Sequence, residues 1–342
     1  MKQAVNQLVN KRKLFSMLRR TRHRQKEAGI VSFDDLNKSV EGGTFDRLIE
    51  WSEAGFNRQL DELWNSMRPA RGNLKLICIA GPSSSGKTTF SFRLRELLLK
   101  QGLPCRSISL DNYFKSRDQT PRDENGEFDF EDINALDLDL LNADLVKLIR
   151  GDEVIVPQFN FKSGEREPGR TGIRLAKDEV VIIEGIHGLN ARLTRSVSDR
   201  NKFKIYLTAM LQIKNHKGHW LHSTDHRFIR RIVRDSRYRG YDAQTTIERW
   251  PSVIRGERKN IFPFQDQAHF VFNSGLLYEY PVLKRFAFDL LVEINKRDHI
   301  FLEARKLLSV LNYFDFAPEA LLPKIPADSV LREFIGGSRY EY

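Results

Sequence analysis

The sequence predicts an α/β fold with an open, mostly parallel sheet, helices on both faces of that sheet, and helical extensions at both ends of the chain. Three observations support this class. From residue 74 onward, apolar runs of strand length alternate with segments of helical apolar spacing, which is typical of a parallel sheet covered by helices. Before residue 70 the pattern is helical throughout, and after residue 295 a further helix precedes a proline-containing tail.

The composition is that of a chain with a sizeable core: 342 residues, of which 40% are hydrophobic. No apolar run reaches the roughly 18–20 residues that span a bilayer, and the N-terminus lacks the uncharged apolar stretch of a signal peptide. Cys78 and Cys105 lie in apolar, strand-like segments, which is typical of core residues in a reduced protein. We expect a cytoplasmic protein without a membrane span, and we expect it to form a homo-oligomer.

The N-terminal extension, residues 1–70, carries most of the positive charge. The net charge of the chain is +11, and residues 1–30 hold nine Lys and Arg residues against Glu27 alone, a net charge of +8. Apolar residues recur among them at roughly helical spacing. A basic helix of this kind can bind nucleic acid, an acidic membrane or a partner, and it can equally be a solvated or packing helix. Contact with nucleic acid is expected only through this helix.

A core domain is predicted over residues 71–295, and a C-terminal helical extension over residues 296–342. The predicted strands of the core are, in order, "LKLICI", "CRSISL", "VIVPQF", "EVVIIEG", "FKIYLTAM" and "AHFVFNSG". The main predicted helices are "FSFRLRELLLKQG", "LDLDLLNADLVKLIRG" and "DHRFIRRIVRDSRYRG", and "RDHIFLEARKLLSVLNYF" forms the extension. This order of elements gives a sheet whose strands are joined by helical crossovers.

The turn after the first strand reads "AGPSSSGKTTF" and fits the phosphate-binding pattern G-x-x-x-x-G-K-[ST]. Its glycines allow positive φ angles and a close approach of phosphate, and the following helix adds its positive dipole end. Lys87 would reach the β- and γ-phosphates, and the Thr88 hydroxyl would bind Mg²⁺. A chance match is expected in about one chain in a hundred. The residues predicted to contact the nucleotide are Gly81, Ser83, Ser84, Ser85, Gly86, Lys87, Thr88 and Thr89.

Two acidic residues follow other predicted strands. Asp111 follows "SISL" and Glu184 ends "VVIIE", and in an open parallel sheet the carboxyl ends of the strands face the ligand crevice. Asp111 could accept the proton of an attacking hydroxyl, or it could cap a turn. Glu184 could serve Mg²⁺ or its water, or it could have a structural role. The turn, with these acids, predicts a P-loop NTPase-type fold that uses ATP and Mg²⁺.

The helix predicted over about residues 225–240 is rich in arginine. Arg227, Arg230, Arg231 and Arg234 follow the i, i+3, i+4, i+7 spacing and share one face. Guanidinium groups suit phosphate oxygens, so this helix could close over ATP as a lid. The alternatives are a solvated basic face and a contact with nucleic acid.

Histidines and aromatic residues give weaker signals. Four of the eight histidines lie between His216 and His226, where a zinc site is conceivable, although a solvated loop before the lid is the preferred interpretation. Trp250 and the aromatic residues of 262–264 could wall an acceptor pocket or pack in the core.

Five sequence blocks stand in a fixed order along the chain: "GPSSSGKTTF", "SLDNYF", "EFDFEDINALD", "VPQFNFKSGER" with "VVIIEG" after it, and "DHRFIRRIVRD". This ordered set resembles the uridine kinase/phosphoribulokinase family of P-loop kinases, and the resemblance covers roughly residues 74–295. The similarity extends to bacterial uridine-kinase-like proteins through "RWPSVIRGERKNIFPFQDQA" and the tail "LREFIGGS".

The resemblance implies roles for individual residues. Asp111 matches the catalytic base, Glu184 the magnesium-side acid, and Asp129 an aspartate that holds ribose hydroxyls. Arg231 matches a lid arginine that contacts substrate, with Arg230 and Arg234 as its phosphate-facing neighbours. The residues expected to bind the acceptor are therefore Asp129, Phe159, Phe161, Arg166, Arg231 and Tyr241.

Four positions depart from the pattern of uridine–cytidine kinases. Phe159 and Gly164 stand where those enzymes place a tyrosine and a histidine, and Tyr241 and Arg249 stand where they place an arginine and a glutamine. A buried polar contact without its partner costs roughly 1–3 kcal/mol. We therefore expect an ATP-dependent kinase acting on a hydroxyl of a small molecule, with a nucleoside as first candidate and a sugar, polyol or sugar phosphate as second. The rival interpretation is a non-catalytic P-loop nucleotide-binding module associated with nucleic acid.

Overall fold

The computed structural model describes residues 2–122, 124, 126, 128–160, 163–169, 172–215 and 218–342, with side chains in the first helix described from residue 12 onward. Within them the helices are α1 (Lys2–Glu27), α2 (Phe33–Glu41), α3 (Phe45–Met67), α4 (Lys87–Lys100), α5 (Leu138–Arg150), α6 (Ser223–Arg234), α7 (Ala243–Asn260), α8 (Glu279–Val292), α9 (Phe301–Leu311) and α10 (Arg332–Ile335). None of these described helices combines the length and apolar character that a bilayer crossing requires.

The strands form one five-stranded sheet and two small hairpin-like sheets. They are β1 (Leu76–Ala80), β2 (Cys105–Ser109), β3 (Val154–Ile155), β4 (Gln158–Asn160), β5 (Glu165–Glu167), β6 (Gly172–Ile173), β7 (Val180–Glu184), β8 (Lys202–Thr208) and β9 (Phe270–Asn273). The main sheet has the order β2-β7-β1-β8-β9, and all its neighbouring strands are parallel. The predicted α/β fold with a parallel sheet and helical extensions is confirmed.

Local sequence signals explain several element boundaries. Ser32 and Asp35 form a capping box at the start of α2, which satisfies backbone N–H groups that the helix itself leaves unpaired. The Asp137 side chain accepts the N–H of Leu140 at the start of α5, and Gly151 ends that helix with φ +87°. A left-handed residue at this position favours glycine because glycine has no Cβ.

The core is shared by the central sheet and both extensions. Phe56 of α3, Ile77 of β1, Leu307 of α9 and Phe334 of α10 belong to one cluster of buried apolar residues. Burial of this kind is the main favourable term in folding, so the extensions contribute to the same stabilising core as the sheet. The boundaries near residues 70 and 295 remain a prediction about the organisation of the chain.

The basic helix α1 packs against the β8–β9 side of the sheet. Met17 is 1% exposed and shares a cluster with Tyr206 and Val271. The Lys13 Nζ donates a hydrogen bond to the Ala268 carbonyl at 2.7 Å. One face of this helix is thus used for packing, while its remaining basic residues include exposed arginines such as Arg19.

Candidate active site at the carboxyl ends of the strands

Three predicted site segments meet at one edge of the main sheet. Glu184, the last residue of β7, is the Cα partner of Ile79 in β1 and of Ser109 in β2. The phosphate-binding turn begins two residues after Ile79, at Gly81, and Asp111 follows Ser109 by two residues. Parallel strands bring their carboxyl ends to the same edge, so Glu184 lies between the turn and Asp111.

The turn adopts a geometry that side chains would obstruct. A Cβ at Gly81 would lie 2.5 Å from the Leu207 carbonyl oxygen, and Gly86 has φ +81°. Ser84 has a positive φ of 58°, which is uncommon for a residue other than glycine. The buried hydroxyls of Ser84 and Ser85 have no hydrogen-bond partner among the described residues. Positive φ angles and unpaired donors beside a helix N-terminus are features of an anion-binding cradle.

Lys87 lies inside this cradle. Its Nζ donates to the carbonyls of Gly81 and Pro82 at 3.0 and 3.2 Å. Desolvation lowers the pKa of Lys87, and the negative charges of Glu184, Glu333 and Asp111 oppose that shift. The charges of these three carboxylates therefore act on an ammonium group that already donates to two carbonyls of the turn.

The two acids at the strand ends both have raised pKa values. Desolvation raises the pKa of Glu184 to about 7, with a further contribution from the charge of Asp111. Desolvation by the crevice walls also raises the pKa of Asp111, although this residue is open to solvent, and the charge of Lys87 is the largest opposing influence. A carboxyl group with a pKa near 7, like that of Glu184, can exchange a proton near pH 7, and the raised pKa of Asp111 shifts it in the same direction.

The lid helix α6 places two of its arginines behind the turn. Arg227 donates to both carboxylate oxygens of Glu257, at 2.6 and 2.8 Å. Arg230 is fully buried and donates to both oxygens of Glu279, at 2.7 and 2.6 Å. Its NH1 also donates to the Ser84 carbonyl at 3.2 Å. The structure thus holds Arg230 against the rear of the turn and does not bring it into the crevice as a phosphate-facing residue.

Two other predicted lid arginines gather around a single aspartate. Arg231 contacts Asp235 at 3.2 Å and donates to the Ser83 hydroxyl at 2.8 Å. Arg234 donates twice to Asp235, at 2.9 and 2.7 Å, and Arg239 approaches the same carboxylate at 3.8 Å. The positive charges of Arg234 and Arg239, but not that of Arg231, therefore act on Asp111, the acid that follows β2.

The "FDFED" segment supplies a second acid, Glu131, beside the predicted Asp129. Asp129 accepts the N–H of Glu131 at 3.1 Å and lies 3.7 Å from Lys259. Desolvation raises the pKa of Glu131 to about 7, and Arg231 is the strongest opposing charge, with Lys87 also contributing. The charges of Arg231 and Lys87 therefore act on Glu131, which sequence reasoning did not single out, because the alternation of acids within one turn does not show which side chain meets these charges. The role of Asp129 stays a prediction.

The other predicted acceptor residues are spread over the neighbouring wall. Phe159 is buried and packs against Phe114 at a ring-centroid distance of 5.4 Å. Arg166 forms an ion pair with Asp137 at 2.8 Å. Tyr241 is 36% exposed. Phe161 lies outside the described residues.

Three of the four departures from the uridine–cytidine kinase pattern involve an arginine side chain. Arg249 stacks on the Tyr241 ring at 4.4 Å, and both residues are departures. At Gly164, the space that a side chain would need is taken by the guanidinium group of Arg117. Arginine side chains thus lie at or beside three of the four positions that differ from that pattern.

In the part of the chain that the structure describes, His226 and Trp250 are buried, whereas His219 and His222 are exposed. The His226 Nε2 lies 2.8 Å from Glu279 in a buried pair, and Trp250 stacks on Phe228 at 4.4 Å. No group of three metal-ligating side chains is found among the described residues, and His216 lies outside them.

The comparisons with known proteins agree with the geometry. A model of the "Phosphoribulokinase / Uridine kinase family" matches residues 76–277. A uridine kinase of Staphylococcus aureus is 31% identical over 180 residues, covering 53% of this chain and 77% of that protein. A uridine kinase of Schizosaccharomyces pombe is 31% identical over 196 residues, 56% of this chain, but the match spans only 38% of the length of that relative.

Solved structures match this chain at lower identity. A structure described as "a Possible Uridine Kinase from Bacillus stearothermophilus" has a TM-score of 0.43 and 18% identity, covering 64% of this chain and 98% of that one. A D-glycerate 3-kinase from Cryptococcus neoformans has a TM-score of 0.41 and 13% identity, covering 63% and 89% of the two chains.

Proposed function

Because this chain belongs to the phosphoribulokinase/uridine kinase family of ATP-dependent small-molecule kinases, we propose that it transfers the γ-phosphoryl group of ATP to a hydroxyl group of a nucleoside. The observation that carries the proposal is the meeting of Lys87, Asp111 and Glu184 at one edge of the sheet, where adjacent parallel strands end. There the charges of both acids act on Lys87, and the charge of Lys87 acts on both acids. Phosphoryl transfer needs a cation for the γ-phosphoryl group and a carboxylate for the attacking hydroxyl at the same place.

The phosphate turn would hold the donor nucleotide. The unpaired hydroxyls of Ser84 and Ser85 and the N-terminal end of α4 support anion binding. Thr88 and Glu184 would hold Mg²⁺, which binds through few protein oxygens and keeps waters and phosphate oxygens as its other ligands. When bound, the ion neutralises charge on the β- and γ-phosphates.

Asp111 would orient the acceptor hydroxyl and take its proton. Its raised pKa brings it nearer to the operating pH, which favours general-base catalysis. Arg231 and Arg234 would stabilise negative charge on the transferred group, because both guanidinium groups stand on the lid face that borders Asp111 and Glu131. Glu131 would accept hydrogen bonds from acceptor hydroxyls.

The identity of the acceptor rests on two opposing observations. The curated relatives named uridine kinase favour a nucleoside. The arginines at two departing positions, Arg117 beside Gly164 and Arg249 over Tyr241, favour an acceptor that carries its own negative charge. A sugar phosphate is therefore the second candidate.

The test is an ADP-release screen over nucleosides, sugars, polyols and their phosphates, followed by Asp111→Asn. This variant should lower acceptor-dependent turnover by about 10²–10⁴-fold and leave ATP binding intact. The control is Asp139→Asn, because Asp139 is 86% exposed and pairs only with Arg195 in the described structure. Turnover that survives in Asp111→Asn contradicts the role of this acid. A wild-type chain that binds ATP but turns over no acceptor supports the non-catalytic module instead.

A further inference from the structure

The C-terminal tail, defined as residues 329–342, crosses the first turn of α4. The Glu333 carboxylate accepts two hydrogen bonds from Thr89, one from its backbone N–H at 3.1 Å and one from its hydroxyl at 2.8 Å. The Glu333 side chain is buried together with Thr89. A carboxylate 244 residues after Thr89 thus binds the N-terminal end of α4, the helix that follows the phosphate turn.

A chain of hydroxyl groups extends this contact to the last residue. The Tyr342 hydroxyl lies 2.8 Å from the Thr89 Oγ1 and 2.9 Å from the Ser338 Oγ. Since the Thr89 hydroxyl donates its proton to Glu333, it accepts from Tyr342. Both the donor and the acceptor capacity of Thr89 are therefore used by the tail.

The tail is anchored at one end and more exposed at the other. Val330 packs so closely on Gly86 that a Cβ there would collide with its methyl group, and Arg230 lies over the Phe334 ring at 4.9 Å. Beyond Gly337 the chain runs along the surface of α4, where Tyr340 stacks on Phe92 at 4.9 Å. The end of the tail can therefore be removed without taking away core residues.

Thr89 is the residue after the Lys87–Thr88 pair, which serves the β- and γ-phosphates in this type of turn. The next backbone N–H along α4 is left for the α-phosphate, and a helix N-terminus binds a carboxylate by the same N–H groups and dipole that bind phosphate. We propose that Glu333 is a built-in competitor of the donor nucleotide, occupying the contact with Thr89 that the α-phosphate would make. The inference rests on the proposed function of the turn.

This competition distinguishes between classes of phosphate ligand. A nucleoside di- or triphosphate must displace Glu333 to place its α-phosphate on Thr89. Pyrophosphate can occupy the cradle around Lys87 with two phosphate groups and leave Glu333 in place. Glu333 therefore determines ligand specificity, because it lowers the affinity for nucleotides relative to the affinity for shorter phosphate ligands.

The experiment measures the Kd of MgADP and of magnesium pyrophosphate by calorimetry. Glu333→Gln keeps the size of the side chain and removes its charge, and it should tighten MgADP by about tenfold, since a hydrogen bond to a charged group is worth roughly that factor. Pyrophosphate affinity should change less than twofold. The matched control is Glu341→Gln, an exposed tail carboxylate, which should change neither Kd.

Two further variants keep the proposal falsifiable if Glu333→Gln folds poorly. Tyr342→Phe removes only the hydroxyl on Thr89, and a chain ending at Gly337 removes residues 338–342. Each should tighten MgADP by a smaller factor than Glu333→Gln. Unchanged or weaker MgADP binding in all three variants overturns the proposal, as does an equal gain for pyrophosphate.

Lys87→Ala separates this proposal from the proposed function. If Lys87→Ala abolishes MgADP binding while Glu333→Gln leaves it unchanged, the turn binds nucleotide and only the role of Glu333 is wrong. If Lys87→Ala binds MgADP as the wild type does, the proposed function of the turn fails and the inference about Glu333 fails with it.

Discussion

Arg227 and Glu257 both bind the backbone of Ser83 in the phosphate turn, one at its carbonyl and the other at its N–H. Glu257 accepts the Ser83 N–H at 2.9 Å, and Arg227 donates to the Ser83 carbonyl at 3.0 Å. The two side chains also form a buried two-bond ion pair with each other. The lid helix α6 and helix α7 therefore position the turn through one charged pair.

Arg227→Met should destabilise the protein by about 3–5 kcal/mol, because it leaves the buried carboxylate of Glu257 without its partner. The control is Arg195→Met, which breaks the exposed pair with Asp139 and should cost about 0–1 kcal/mol. Urea unfolding measures both values. The double variant Arg227→Met/Glu257→Met should recover much of the loss, and a loss for Arg227→Met no larger than that of Arg195→Met contradicts the buried-pair argument.

The sequence predicts those parts of the site that follow from local patterns, and it does not predict contacts between residues that are far apart along the chain. Gly81, Asp111 and Glu184 follow recognisable strands, and the alternation of elements predicts that parallel strands bring them to one edge. Helical spacing also predicts that Arg227, Arg230 and their neighbours share a face. It does not predict whether that face meets solvent, nucleotide or buried carboxylates.

The contacts that sequence reasoning missed are between residues distant along the chain or within one irregular turn. Arg230 is buried because Glu279, 49 residues later, meets it, and Glu333 reaches Thr89 across 244 residues. Nothing in the spacing of either segment encodes these meetings. The choice between Asp129 and Glu131 depends on the backbone path of a short non-helical turn, which periodicity does not describe.

Glu184 should make the stability and the metal affinity of the protein depend oppositely on pH. Its pKa in the folded state is about 7, above the ordinary value of 4.5 that it has when unfolded. Between about pH 4.5 and 7 the folded state holds the proton more tightly, so the free energy of unfolding falls as pH rises, and above pH 7 the cost of the charge is complete. Mg²⁺-dependent ATP binding needs the charged form and should strengthen through the same range.

Glu184→Gln should remove both effects. Without ligand, it should melt a few degrees above the wild type at pH 8 and together with it near pH 5. Its MgATP affinity should be low and should change less with pH between 6 and 8 than that of the wild type. Glu50→Gln, at an exposed position of α3, serves as the control. A melting difference of the same size at both pH values would mean that titration of Glu184 is not its origin.

Glu131 and Asp129 form a matched pair of variants for the acceptor site. The charges of Arg231 and Lys87 act on Glu131, whereas Asp129, whose side chain is 18% exposed, lies 3.7 Å from the more exposed Lys259. Glu131→Gln should raise the KM for the acceptor by roughly tenfold or more, since hydrogen bonds to a charged group contribute about 1.5–3 kcal/mol, and Asp129→Asn should raise it less than threefold. Steady-state kinetics with the acceptor from the ADP-release screen measure both, and the reverse order would return the role to Asp129.

Arg239 was not among the expected site residues, yet its charge acts on Asp111. Desolvation and the charge of Arg234 lower the pKa of Arg239 to about 10, so it remains cationic near pH 7. Arg239→Gln should lower acceptor-dependent kcat by about 10–100-fold with little change in ATP affinity. Arg237 lies in the same segment, Asp235–Arg239, but it stacks on Phe286 at 5.2 Å. Arg237→Gln should therefore keep kcat within about twofold. Equal losses of kcat in the two variants would indicate a general disturbance of the segment Asp235–Arg239 rather than a charge acting at the site.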